Sequence, residues 1–170
     1  MIKRIAYQIR EWRGLRICNT VKEFEDYCDI LETPEAIAWW IDGNIEYDDN
    51  ELPLRWRTVE DVLVNRNNMT GFQYGNCTEM ACLARYGLRT QFYKAEIACV
   101  YGEDENRKKK GHVVCCFSGH GQRGVINGGA VKFYTGHVPW AQMVIETVPK
   151  WLTTMWHFTD DNGKKISVEL

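Results

Sequence analysis

Hydrophobic positions in the first half of the chain recur at helical spacing. Thr20 precedes one such pattern, and Glu23 follows three residues later, a spacing typical of a capping box at a helix start. A second helix is predicted to begin at Pro34 and to end near Gly43, because proline favours the first helical position. Residues 58–63 predict a short third helix with a threonine cap and an acidic first turn.

A fourth helix is predicted directly after the turn signal Gly75-Asn76. Cys77 and Ala81 begin a face of small residues at helical spacing, which allows tight packing against a neighbour. Gly87 is a natural C-terminal stop, so we expect the helix to end there.

From residue 89 onward the chain is rich in β-branched and aromatic residues that predict strands. The expected strands cover 91–101, 112–117 and 122–127, and residues 131–134 form a further candidate. Between the first two strands, residues 102–111 carry charges of both signs, which indicates a solvated hairpin tip rather than a nucleic-acid surface.

The chain is predicted to close with a helix over 140–151 and a hairpin over 156–170, whose turn contains Asn162-Gly163. Helices therefore come first and an antiparallel sheet follows. This order predicts an α+β fold, and the length of 170 residues fits one domain.

Composition excludes several classes of protein. The formal net charge is −2, so no general attraction to nucleic acid or to an anionic membrane is expected. No stretch approaches the apolar length of a membrane span or resembles a signal peptide. We therefore expect a cytoplasmic protein without nucleic-acid or membrane partners.

The seven cysteines are irregularly spaced and odd in number. Without an export signal, they favour reduced thiols over a disulfide framework. Free cysteine is commonly a small buried hydrophobic residue, so most of the seven are expected only to fill space.

Cys77 differs from the other cysteines in its predicted position. The start of a helix offers unpaired N–H groups and the positive end of the helix dipole, both of which favour the thiolate, the nucleophilic form. Cys82 is expected in the middle of the same helix, and Cys99, Cys115 and Cys116 in strands. Position alone therefore makes Cys77 the candidate nucleophile.

His112 is the candidate base, and Asn127 is its candidate orienting partner. If residues 118–121 form a four-residue hairpin loop, Phe117 pairs with Gln122 and His112 faces Asn127. Directly opposed side chains project to the same face, with Cβ atoms about 5 Å apart. Cysteine, histidine and asparagine in this chain order match the arrangement of papain-like thiol enzymes.

A zinc site is a second hypothesis, because His112, Cys115, Cys116 and His120 are clustered in sequence. Adjacent strand residues point to opposite faces, however, so Cys115 and Cys116 cannot easily reach one ion. We therefore expect no metal.

The sequence resembles the transglutaminase-like cysteine proteinases, within the wider papain-like set. The resemblance runs from about residue 35 to 130 and has several parts: the helix 35–42 followed by Ile45-Glu46-Tyr47; Trp56 and the helix 58–63; the box Gly75-Asn76-Cys77-Thr78-Glu79-Met80-Ala81; the helix exit 85–89; Gly111-His112-Val113; and Ile126-Asn127-Gly128. The family's box usually has Asp before the cysteine, and its third catalytic residue is usually Asp as well. The resemblance implies one papain/transglutaminase-like domain over 1–170, with a core of about 35–135 and an extension over 139–170.

The resemblance implies acyl-transfer chemistry through a covalent thioester, with Cys77, His112 and Asn127 as a triad and no cofactor. The substrate would be a protein or peptide. Either water or an amine would then attack the thioester and release the acyl group. The backbone N–H of Cys77 would be one oxyanion donor, and Gln73, Tyr74 and Trp56 are candidates for the second.

The alternative is a catalytically inactive domain of the same fold that binds a protein partner. The adjacent Trp39 and Trp40 cannot both face inward on one helix, so an exposed tryptophan would serve as the contact. Tryptophans over 140–156 offer a second such group.

Overall fold

A computed structural model describes residues 20–47, 59–64, 73–150, 155–159 and 164–166. Its helices are α1 (Val21–Cys28), α2 (Pro34–Asn44), α3 (Val59–Val64), α4 (Cys77–Thr90) and α5 (Trp140–Thr147). Its strands are β1 (Ile45–Tyr47), β2 (Gln73–Gly75), β3 (Lys94–Glu103), β4 (Lys109–Gly119), β5 (Gln122–Asn127), β6 (Ala130–Phe133), β7 (Met155–Thr159) and β8 (Lys165–Ile166).

Threonine caps begin the first two helices, as the sequence predicts. The hydroxyl of Thr20 accepts the N–H of Glu23 at 3.1 Å, and that of Thr33 accepts the N–H of Ala36 at 3.2 Å. These bonds satisfy N–H groups that have no partner within the helix. The cap expected for α3, at residue 58, lies outside the described residues.

The prediction that Gly87 ends the fourth helix is wrong, because α4 continues to Thr90. A Cβ atom at Gly87 would lie 3.2 Å from Sγ of Cys28 and 3.3 Å from Cγ2 of Ile37. The glycine therefore serves close packing of α4 against α1 and α2 rather than helix termination.

The main sheet is antiparallel, with the described strands in the order β6-β5-β4-β3-β7-β8. β3 begins at Lys94 rather than at residue 91, because Phe92 has a φ of 60° and belongs to the turn after α4. β3 and β4 both extend further toward their connection than predicted, which shortens the charged hairpin tip to 104–108.

The connection between β4 and β5 is a two-residue turn, not the predicted four-residue loop. Gly119 pairs with Gln122, and Phe117 pairs with Gly124. His120 and Gly121 form the turn with φ values of 49° and 75°, the positive angles that a tight hairpin requires. The register between the two strands is therefore shifted by two residues from the predicted one.

Both faces of the sheet are covered. The face toward α4 buries Ile97, Cys115 and Phe117, in one cluster with residues of α1 to α4. The opposite face buries Val114 and Cys116, among others, against Met143 of α5. The adjacent Cys115 and Cys116 thus point to opposite faces, as strand alternation requires.

Helix α5 ends at Thr147, four residues before the predicted end. Val148 is extended, with a ψ of 159°, as expected for a residue that precedes a proline. Beyond it, β7 and β8 form the predicted antiparallel pair, with Phe158 opposite Ile166. Their turn lies outside the described residues.

The described part of the chain is thus α+β, with an antiparallel sheet and a few helices, and is compatible with a papain-like fold. None of the described helices is long and apolar enough to cross a membrane.

Candidate active site

The fold brings Cys77, His112 and Asn127 together from three different elements. Cys77 is the first residue of α4, His112 lies in β4, and Asn127 is the last residue of β5. Contacts join the three side chains in that order, with the imidazole in the middle. The three predicted triad residues therefore form one connected group.

A capping box sets the position of Cys77. The Asn76 side chain accepts the N–H of Thr78 at 2.9 Å, and the Glu79 carboxylate accepts the N–H of Asn76 at 2.6 Å. Both bonds fix the first turn of α4. The N–H of Cys77, at the first helical position, has no carbonyl partner within the helix and remains available for an external acceptor.

Asn127 orients the imidazole of His112. Its Oδ1 lies 2.7 Å from Nε2 of His112, and its amide nitrogen donates to the carbonyl of Thr147 at 3.5 Å. Because an amide oxygen only accepts, Nε2 must carry the proton in this contact. The other ring nitrogen, Nδ1, is therefore the atom available to exchange a proton with Cys77.

The register makes this contact diagonal rather than directly cross-strand. The last β4–β5 pair is Cys115 with Ile126, and the next pair would place Asn127 opposite Val114. His112 is two residues further along β4, on the same face as Val114. A shift of two residues keeps both side chains on one face. The imidazole of His112 and the amide of Asn127 are long enough to meet across the diagonal.

Three hydrogen-bond donors surround the sulfur of Cys77. Burial alone raises the pKa of this thiol, but the hydrogen bond and positive charge of His112, the backbone N–H of Val113 and the hydroxyl of Tyr47 outweigh it. The pKa of Cys77 is therefore lowered from the ordinary value of 9.0. The site thus favours the thiolate.

The pKa of His112 moves in the opposite direction. Burial alone lowers it, but hydrogen bonds to Cys77 and Asn127 and the negative charge of the thiolate raise it overall. A lowered cysteine pKa beside a raised histidine pKa is the signature of a thiolate–imidazolium pair. Because each shift depends on the other group, the two titrate as a pair.

The N–H of Val113 is available because of where β5 ends. The pairing of β4 with β5 ends at Cys115 and Ile126, so Val113 lies beyond the paired stretch. Its N–H donates to the Cys77 sulfur instead. The early end of β5 therefore opens a place at the edge of β4 that the start of α4 occupies.

The described cysteines in the strands have pKa values shifted in the direction opposite to that of Cys77. Burial raises the pKa of Cys99, Cys115 and Cys116, and in the first of these, hydrogen bonds to Thr159 and Tyr101 compensate only in part. These thiols are buried among hydrophobic residues. They are expected to remain protonated and inert at neutral pH.

The three candidates for a second oxyanion donor lie where no donor can be assigned. Trp56 is outside the described residues, and Gln73 and Tyr74 are described only as backbone in β2. Sequence reasoning missed Tyr47, whose hydroxyl contacts the nucleophile. The sequence includes Tyr47 in the segment 45–47 of the family resemblance. It does not predict the pairing of this segment with β2, which brings Tyr47 close to Cys77.

The zinc hypothesis does not fit the geometry. His112 and His120 are eight positions apart on extended β4 and its turn, a span of about 25 Å. His120 instead contacts the carbonyl of Gln91 at 2.8 Å. In the part of the chain that the structure describes, no group of three or more His, Cys, Asp or Glu residues could hold a metal ion.

Comparison with known proteins finds distant structural similarity. No protein-family model matches the sequence, and no curated protein matches it. One solved structure that is similar is that of LapG from Legionella pneumophila, at a TM-score of 0.41 and 12% identity over 69% of this chain and 78% of LapG. The likeness is too distant to transfer an activity, so an assignment has to rest on the site itself.

Proposed function

We propose that this protein catalyses thiol-dependent acyl transfer or amide hydrolysis, with Cys77 as nucleophile, His112 as acid and base, and Asn127 as the residue that orients the imidazole. One observation carries the proposal: a continuous chain of contacts from Asn127 through His112 to Cys77, with the two pKa values shifted toward a thiolate and an imidazolium. A cysteine with only a packing role would have a pKa raised by burial, as Cys116 has.

In the proposed acylation step, the Cys77 thiolate attacks the carbonyl carbon of an amide. A carbon–sulfur bond forms, and the carbonyl π electrons move to the oxygen. When this tetrahedral intermediate collapses, the carbon–nitrogen bond breaks, and the imidazolium of His112 gives its proton to the leaving amine. The product is a thioester on Cys77 and a neutral imidazole.

In the second step, water or an amine attacks the thioester while neutral His112 accepts its proton. Collapse of the second tetrahedral intermediate breaks the carbon–sulfur bond and returns the thiolate and the imidazolium. The N–H of Cys77 at the helix start is the oxyanion donor that we propose for both intermediates.

We propose a protein or peptide as the acyl donor. One observation supports this: Tyr47, whose hydroxyl contacts the nucleophile, is 48% exposed, so the surface next to Cys77 is open to an extended chain. The exposed face of Trp39, whose side chain is 38% exposed while that of Trp40 is fully buried, is a second place where such a partner would make contact.

A trapping experiment tests the proposal. The protein is incubated with p-nitrophenyl acetate, and the acetylated residue is identified by peptide mass spectrometry. We expect an acetyl thioester on Cys77 of the wild type, none on Cys77→Ala, and unchanged acetylation in the matched control Cys82→Ala. Acetylation of Cys77 at the rate of an ordinary thiol would contradict the proposal.

A further inference from the structure

Tyr47 is brought to the nucleophile by the backbone of the small parallel sheet. It is the last residue of β1 and is paired with Gly75 of β2. Gly75 lies two residues before Cys77, and only the cap residue Asn76 separates β2 from α4. The pairing of β1 with β2 therefore places Tyr47 next to the start of α4.

Close packing holds this arrangement. A Cβ atom at Gly75 would lie 2.9 Å from Cγ2 of Ile45 and 3.3 Å from Oε2 of Glu79. Glu79 is the same residue whose carboxylate accepts the Asn76 N–H in the capping box. The absence of a side chain at Gly75 thus lets β1 lie directly against the start of α4.

The Tyr47 side chain combines contact with the reacting atom and access to solvent. Its hydroxyl donates to the Cys77 sulfur, yet the residue is 48% exposed, whereas Cys77 is 6% exposed. The tyrosine therefore joins the buried sulfur to a surface that is open to solvent.

We propose that the Tyr47 hydroxyl is the second oxyanion-hole donor, which binds the thiolate in the resting protein and transfers its hydrogen bond to the carbonyl oxygen during attack. This inference rests on the proposed acyl-transfer function. In the tetrahedral intermediate the negative oxygen and Sγ are bonded to the same carbon, so a donor that reaches one needs only a small shift to reach the other. The tyrosine keeps its proton throughout, and no further reactant is required.

Two reagents separate this role from a merely structural one. Acylation by p-nitrophenyl acetate passes through a tetrahedral oxyanion, whereas alkylation by iodoacetamide displaces iodide at a saturated carbon and forms none. Both rates are measured for wild type and Tyr47→Phe at a pH where the thiol is fully ionised in both proteins. Tyr93→Phe is the matched control, because the Tyr93 hydroxyl contacts Gln122 at the far end of the sheet.

We expect Tyr47→Phe to lower the acylation rate by about 100-fold, the loss typical of one oxyanion donor, and not to slow alkylation. Tyr93→Phe is expected to change neither rate. Equal changes in both reactions, or no change in either, would overturn the inference while leaving the nucleophile in place. A wild type that p-nitrophenyl acetate does not acylate at Cys77 would instead contradict the proposed function, and the role of Tyr47 with it.

Discussion

Nε2 of His112 lies 2.7 Å from Oδ1 of Asn127, although both residues lie beyond the last β4–β5 pair and the register places them diagonally rather than directly opposite. The amide nitrogen of Asn127 donates to the carbonyl of Thr147, the last residue of α5. The orientation of the imidazole toward Cys77 thus depends on contacts from both β5 and the helix behind the sheet.

Replacing Asn127 with Ala is expected to slow acylation of Cys77 by about 10- to 100-fold, because a hydrogen bond to the charged imidazolium is lost. The rate with p-nitrophenyl acetate measures this. Asn127→Asp is expected to retain activity, because a carboxylate also accepts from Nε2 and stabilises the imidazolium. Equal losses in both variants would show that the Asn127 position supports only the fold.

The protonation of His112 is expected to depend on Cys77. In the wild type, the pKa of His112 is raised above 6.5, and Cys77→Ala should lower it, because the hydrogen bond and charge of the thiolate are lost while burial remains. NMR titration of the imidazole nitrogens measures both values. His157, whose pKa is lowered by burial and by Lys165, is the internal control and should not move.

The same shift makes a contribution to folding stability that depends on pH. Because the folded-state pKa of His112 is raised, its contribution is fully present below the unfolded value of 6.5 and is lost as the pH rises through the folded value. Urea unfolding of wild type and His112→Gln at several pH values measures it. The lowered pKa of Cys77 adds a contribution that is present above the unfolded value of 9.0 and is lost as the pH falls through the folded value. A stability difference that does not change with pH would contradict the ion pair.

Replacing His112 with Ala is expected to raise the pKa of Cys77, because burial then loses its largest compensating interactions. The rate of iodoacetamide alkylation near about pH 7 should fall by at least 10-fold, since about one pKa unit is a tenfold change in thiolate. His157→Ala is the control for the loss of an imidazole elsewhere on the sheet. An unchanged alkylation rate in His112→Ala would mean that the helix start and the other donors alone create the thiolate.

Removing the cap of α4 is expected to affect stability more than chemistry. Asn76→Ala loses the acceptor for the Thr78 N–H and should lower the free energy of unfolding by about 1 kcal/mol. Denaturant titration measures the loss. Asn106→Ala, an exposed position in the charged hairpin tip, is the control and should cost little.

The sequence was informative wherever one short segment determines the local structure. The caps Thr20 and Thr33, the helix start at Cys77 and the order of strands after residue 89 depend on neighbours only a few residues away, and the structure agrees with them. Gly87 shows the limit of such reasoning. Glycine often ends a helix, but this glycine lies within α4 and allows it to pack closely against α1 and α2.

The relations that join distant segments were predicted less well. The predicted register of the β4–β5 hairpin differs by two residues from the observed one. The register depends on the length of the loop, and the residues Ser118 to Gly121 are compatible with a loop of either two or four residues. The pairing of His112 with Asn127 nevertheless agrees with the structure, because a shift of two residues preserves the face. Tyr47 was missed because its approach to Cys77 depends on the parallel pairing of β1 with β2, which leaves no periodic signal in two strands of three residues.

The alkylation rate of each cysteine as a function of pH tests the central claim most directly. Wild-type protein is treated with iodoacetamide over a range of pH, and labelled peptides are quantified. We expect Cys77 to react fastest and to reach its maximal rate below the ordinary thiol pKa of 9.0, while Cys82 and the strand cysteines stay slow. A Cys77 rate that rises tenfold per pH unit up to about pH 9, as for an unperturbed thiol, would contradict the thiolate–imidazolium pair and the proposed function.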